Sequence, residues 1–164
     1  MALDMHLKLE GGKTTFEGES KHSKHAKEIQ LLAWSWGLSQ SGSFGHGTGG
    51  GAGKANVQDI SFTKYIDKSS TAFIKALVTG DHVSTATLTV SKAGGEQEDY
   101  WKMTLTSAMV TSYSTGGSGG EDLFTENITL SFAKFDIEYF KQDDKGKVAS
   151  AGTVGYSVEE VKAS

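Results

Sequence analysis

Apolar residues recur at every second position along much of this chain, and that spacing most narrows the folds open to it, because successive side chains of a strand point to opposite faces. Leu3, Met5, Leu7 and Leu9 alternate with Asp4, His6, Lys8 and Glu10. Ala86, Leu88 and Val90 stand against Thr85, Thr87 and Thr89, and Trp101, Met103, Leu105 and Met109 against Lys102, Thr104 and Thr106. The segment between these two runs, KAGGEQED, reads as a short hairpin turn. The chain has no proline, so no strand is interrupted by a residue that lacks a ladder donor.

Two runs change phase midway. Ile29 and Leu31 lie in one phase, while Leu32, Trp34, Trp36 and Leu38 lie in the other. Ile128, Leu130 and Phe132 likewise give way to Ala133, Phe135, Ile137 and Tyr139. A phase change implies a bulge, which adds twist, and two long bulged strands favour a curved sheet closing toward a barrel. One segment has helical spacing: Ala72, Phe73, Ala76 and Leu77 share a face, with Asp67, Ser69 or Ser70 to cap the start and Gly80 to stop it. The expected fold is mainly β, a small antiparallel β-barrel of two curved sheets with one short flanking α-helix over about residues 70–79.

Residues 1–140 are read as this barrel domain and residues 141–164 as a polar C-terminal tail. Within the tail, Val148 to Val158 is able to add a weak strand, to a neighbouring subunit among others. Residues 11–27 hold few apolar side chains and read as an exposed connection.

Composition removes several functions. At 164 residues with 37% hydrophobic side chains the chain can build one core. It has no cysteine, so disulfides, thiolate metal sites and cysteine nucleophiles are excluded. A net charge of -4 with scattered lysines argues against nucleic acid, and no stretch approaches the roughly 18 consecutive apolar residues of a membrane-inserted span. The start of the chain lacks a basic segment followed by an apolar run, so synthesis without a signal peptide is expected.

The glycine-rich residues 39–54 (SQSGSFGHGTGGGAGK) lie between two strand-like segments. Glycine loses more backbone entropy on folding than other residues, so such a loop reads as a segment ordered by a partner. Gly45, Gly47 and Gly50 match GxGxxG, but a strand follows where a dinucleotide site needs a helix. Gly53 and Lys54 fail as a P-loop, since Thr48 stands where glycine is required and Ala55 where Ser or Thr should hold magnesium. His22 and His25, near Glu28, form an HxxH pair, short of the three or four convergent ligands that a metal needs. No GxSxG or HExxH motif is present. The chemistry therefore points to no catalytic residue, metal or cofactor.

The runs WSWGLSQSGS, GGGAGKANVQDISFTKYIDKSS, KAGGEQEDY and STGGSGGEDLFTENITLSFAKFDIEY, spread over residues 3–139, resemble the haemolysin-coregulated protein family, the inner-tube proteins of the bacterial type VI secretion system. The resemblance implies a structural subunit, not an enzyme, that forms homohexameric rings stacked into a tube. It further implies expulsion by a contracting sheath, contacts with spike protein, sheath and baseplate components, and effector proteins carried in the lumen. Such a protein is cytoplasmic on synthesis and then secreted through the machine without a signal peptide. The residues expected at subunit or ring contacts are Ser41, Ser43, Phe44, His46, Gly49, Gly50 and Lys54 in the first glycine-rich loop, with Gly119, Glu121 and Asp122 in the second. Two rival classes remain: a carbohydrate- or ligand-binding β-sandwich using Trp34, Trp36 and Tyr113 as a stacking platform, and an enzyme using His22, His25 and Glu28.

Overall fold

The computed structural model describes residues 3–42, 44, 54–92 and 97–164. Among these the chain runs through β1 (Leu3–Glu10), β2 (Ile29–Leu31), β3 (Ala33–Ser35), β4 (Leu38–Ser39), β5 (Asn56–Val57), β6 (Ile60–Tyr65), α1 (Ser70–Thr79), β7 (His82–Lys92), β8 (Asp99–Gly116), β9 (Thr125–Gln142), β10 (Val148–Ser157) and β11 (Lys162–Ala163). The alternation seen in the sequence is thus realised as a mainly β protein with one short helix. Nine strands form a single antiparallel sheet ordered β11-β10-β9-β8-β7-β1-β2, with β6 also on β9 and β3 on β6.

Both phase changes mark places where a strand exchanges partners. Leu32 separates β2, which pairs with β1, from β3, which pairs with β6. The Leu32 N–H donates to the Thr63 carbonyl at 2.8 Å, tying the break to β6. This strand bridges the two edges of the curled sheet by half-ladders, so the barrel does not close on one continuous ladder. On β9, residues 125–130 pair with β6 and residues 134–142 with β10. At the switch, the Ala133 carbonyl accepts the Val158 N–H at 2.8 Å. Opposite it on β8, Ser107 has φ of 54°, the left-handed region, and inverts the buried phase of β8 as well. Ala108 and Val110 consequently point inward, and Met109, expected with Met103 and Leu105, lies half-buried on the other face. An extra residue, Thr111, bulges from β8 between Val110 and Ser112.

The enclosed core joins Leu7, Leu88, Met103, Leu105, Ile128 and Leu130, all fully buried, to Phe73 of α1. The helix starts where the sequence placed it, but Ser69 makes no side-chain cap bond. Instead the Asp67 carboxylate accepts the Ser69 N–H at 2.8 Å and the Ser70 hydroxyl accepts the Asp67 N–H at 2.9 Å. Gly80, at φ of 70°, ends the helix with its N–H on Leu77, while the Asp81 N–H reaches Ala76, a pairing that only a left-handed C′ residue permits.

Residues 11–27 are not the exposed connection that their polarity suggested. Thr14, Gly18, Ser20 and His25 are buried, and the Phe16 ring lies 4.9 Å from that of Phe73. The segment folds back on itself through backbone bonds from Gly18 to Lys27 and from Lys27 to Ser20, which satisfy these polar groups, while Phe16 packs on the core. A Cβ at Gly18 would meet the Glu28 carbonyl oxygen at 2.3 Å, so only glycine admits this approach.

Beneath α1 lies a buried ionic network. Lys64 of β6 and Glu126 of β9 face each other in register, both fully buried and in direct contact. Lys64 also reaches Asp67 at 2.8 Å and the Tyr65 carbonyl at 3.0 Å, while Glu126 accepts from Ser70 at 2.8 Å and from the Tyr113 hydroxyl at 2.5 Å. Burial and the neighbouring Glu126 push the Tyr113 phenol up to about 12. Removing one member strands the other charge, so Lys64→Met is expected to cost about 3–5 kcal/mol in denaturant unfolding, and Lys64→Met combined with Glu126→Met to recover most of that loss.

Candidate assembly surface

The first glycine-rich loop stands on its own small ladder. Leu38 pairs with Val57 and Ser39 with Asn56, and the Gln58 N–H donates to the Gly37 carbonyl at 3.1 Å. The Trp36 indole donates to the Gln58 carbonyl at 2.9 Å, which fixes the base of the arm against the sheet. Of the residues expected at contacts, Ser41 and Lys54 are exposed near this base, and Phe44 is 92% exposed. That degree of exposure is unusual for so large an apolar ring. Ser43, His46, Gly49 and Gly50 lie outside the described residues, as does most of the turn between β7 and β8, residues 93–96.

The second loop closes the β8–β9 hairpin. Gly119, Glu121 and Asp122 are all exposed, and the Glu121 N–H donates to Ser118 at 3.1 Å. Glu121 and Asp122 border a shallow groove with Tyr65, Leu123 and Thr125. A neighbouring groove of about 290 Å³ continues past Tyr65 and Leu123 to Leu32, Ile66 and Gln30. With Phe124 also exposed, this rim gathers Leu32, Tyr65, Leu123 and Phe124 into an apolar strip beside two carboxylates. The strip could not be read from the sequence, because its members come from the β2–β3 break, the end of β6 and the start of β9.

The rival sites fare differently. Trp34 stacks on Trp101 at 6.3 Å and Trp36 sets its edge on Phe135 at 4.9 Å, both half-buried against the core. Tyr113 is held by Glu126. These three rings therefore form no solvent-facing platform, and the sugar-binding alternative loses its site.

His22 and His25 do meet, and the structure adds His6, which the alternation had hidden on the outer phase of β1. The three ring centroids lie 4.8–5.2 Å apart. His25 bonds Glu28 at 2.8 Å and Asp99 at 2.9 Å, and although burial opposes the charge these bonds raise its pKa above the ordinary histidine value. Burial, then the neighbouring His25 and His22, lower His6 to about 4. No group of three or more ligand side chains converges on a metal position among the described residues.

A curled antiparallel sheet with one helix and shallow open grooves defines a small, mainly β module. Comparison with known proteins makes the class specific. Residues 6–139 match the family described as type VI secretion system effector, Hcp. Protein hcp1 of Pseudomonas aeruginosa is 54% identical over 157 residues, 95% of this chain and 94% of that protein. Among solved structures, a type six secretion system protein superposes with a TM-score of 0.91 at 31% identity, covering 99% of this chain and all of the other. Hcp1 from Salmonella typhimurium gives 0.78 at 33% identity, with 99% of each chain covered. The chain belongs to the Hcp family of the type VI secretion system.

Gly119 and Gly120 have nothing within 4 Å of an added Cβ, and neither has a positive φ. Gly119→Ala and Gly120→Ala are expected to leave the thermal stability of the isolated subunit within about 0.5 kcal/mol. Differential scanning calorimetry on dilute protein checks this, and any assembly defect in these variants then reports a contact rather than misfolding.

Proposed function

We propose that this chain is a structural subunit of the type VI secretion tube, forming homohexameric rings that stack into a tube driven out by a contractile sheath. The observation that carries the reading is the 54% identity to protein hcp1 across nearly the full length of both chains. The surfaces agree with it physically. A ring repeats one heterologous contact about an axis, and stacking adds a second that does not close and so yields a filament. The arm with Phe44 at one site and the rim of Leu32, Tyr65, Leu123 and Phe124 at another give a single subunit two distinct unsatisfied surfaces.

On this reading Ser41, Ser43, Phe44, His46, Gly49, Gly50 and Lys54 make contacts through the arm, and Gly119, Glu121 and Asp122 make them through the β8–β9 turn. The role is non-enzymatic. The subunit meets spike, sheath and baseplate components in the assembled machine, shelters effector proteins in the ring lumen, and passes from the cytoplasm to the outside with the tube. Residues 1–140 supply the tube-forming body, and residues 141–164 extend it by the β10 edge.

Light scattering coupled to size exclusion is expected to give six times the 17.4 kDa subunit mass, with rings in negative stain. A monomer at every accessible concentration counts against the reading. Deleting Gly45 to Gly51 is expected to leave the subunit folded by circular dichroism while shifting the mass toward monomer. A deletion variant that still forms full rings and tubes would show that the arm is dispensable.

A further inference from the structure

His6, His22 and His25 sit where three parts of the chain meet: β1, the folded-back residues 18–28 and the first residue of β8. His6 is 2% exposed, and its register partners are Gln30 of β2 and Thr89 of β7. His25 reaches forward to Asp99 and back to Glu28, and Asp99 is itself held by the Ser91 hydroxyl at 3.0 Å. His6 Nδ1, His22 Nε2 and Thr89 Oγ1 are buried without a protein hydrogen-bond partner, whereas both ring nitrogens of His25 face carboxylates. An imidazolium at His25 donates to both carboxylates, and the His6 ring stacks on it.

We propose that this histidine cluster forms a proton-operated latch: a proton on His25 fastens residues 18–28 to the start of β8, and a second proton, on His6, opens the latch.

The physical reason is like charge at short range. The His6 ring lies stacked 4.8 Å from the His25 ring at an interplanar angle of 15°, so protonating His6 places two cations face to face in a buried site. Asp4 on β1 and Asp99 on β8 pull the other way, and Glu28 is already engaged by His25. Lys24 and Glu98 form a pair of their own at 2.9 Å on the outer side. Asp4 acts on His6 only through space, and no carboxylate hydrogen-bonds the buried His6 Nδ1 among the described residues.

The direction of the pH effect follows. His6 is near 4 when closed and takes the ordinary value of 6.5 when released, so the open state gains protons as pH falls from 6.5 toward 4, and closure weakens across that window. His25 has the opposite sign: its closed-state value is raised, so its contribution is fully present below 6.5 and is lost as pH rises through the raised value. Across that window the His6 contribution weakens closure while the His25 contribution stays in place. A subunit built this way holds residues 18–28 down at neutral pH and loosens them in mild acid.

The test is amide hydrogen exchange in the intact chain at pH 6.5 and 5.0, corrected for intrinsic exchange, in wild type and His6→Phe. Opening of residues 20–28 and 99–103 in the wild type is expected to rise on the order of tenfold, the linkage for a histidine lowered by this much. His6→Phe keeps an aromatic ring on the stack and removes the second proton, so its opening is expected to stay flat. An equal rise in His6→Phe, or the same rise at Leu105 and Ile137 in the core, overturns the latch. Ring-proton titration of the wild type by NMR decides independently if the variant does not fold. A depressed His6 beside a raised His25 supports the latch, and two ordinary values refute it.

Discussion

The exchange of partners along β9 is the constraint on which the rest of the structure depends. This strand keeps β8 on one edge from Thr125 to Tyr139, while the other edge passes from β6 to β10 around Ala133. A strand alternates strictly between faces, so it can serve two packing environments on one edge only if its buried phase inverts at the handover. Ser107 on β8 inverts opposite Ala133, which keeps the two strands in register through the turn-over. One half of the hairpin thereby closes the core under α1, and the other carries β10 outward with a largely exposed surface.

The Lys64–Glu126 pair belongs to the same logic. It lies on the β6–β9 ladder near the end that α1 covers, and its hydrogen bonds run to Asp67 and Ser70 at the helix start and to Tyr113 on β8. Two buried charges add little net stability compared with apolar side chains of the same size. A slip of β6 by one residue, however, would turn Lys64 to the opposite face and leave Glu126 buried alone. The pair thus fixes register at the place where β6, β8, β9 and the helix must agree.

Much of this was legible in the chain itself. Period-two runs marked the strands, the helix appeared with its stop at Gly80, and both phase flips fell where strands change partners. The flips do not say which partner is given up or taken on, because that depends on residues far away in sequence, such as Thr63 for Leu32 and Val158 for Ala133. Residues 11–27 were misread for a related reason. Their order comes from backbone bonds, close approaches at Gly11, Gly12 and Gly18 and the lone Phe16 ring against Phe73, which leave no periodic apolar signature. His6 was hidden by the same alternation that revealed β1, since the outer phase of a strand is ordinarily wet. Of the surface, the two glycine-rich loops were visible as composition, whereas the apolar rim beside the second exists only once the sheet has curled.

Two of the exposed apolar features lie in different parts of the chain. Phe44, almost fully exposed, follows the two-rung ladder of β4 and β5, and Leu32, Tyr65, Leu123 and Phe124 make up the rim. The rim is built from the ends of strands fixed by the core, so it is preformed and loses little freedom on docking. Separate small surfaces of this kind suit repeated interactions of modest strength. When each ring presents several of them at once, the tube holds through their number, and no single interface needs to be tight. A stack held in that way can be pushed as one body and still come apart when its subunits dilute, since each interface that opens lowers the effective concentration at the next.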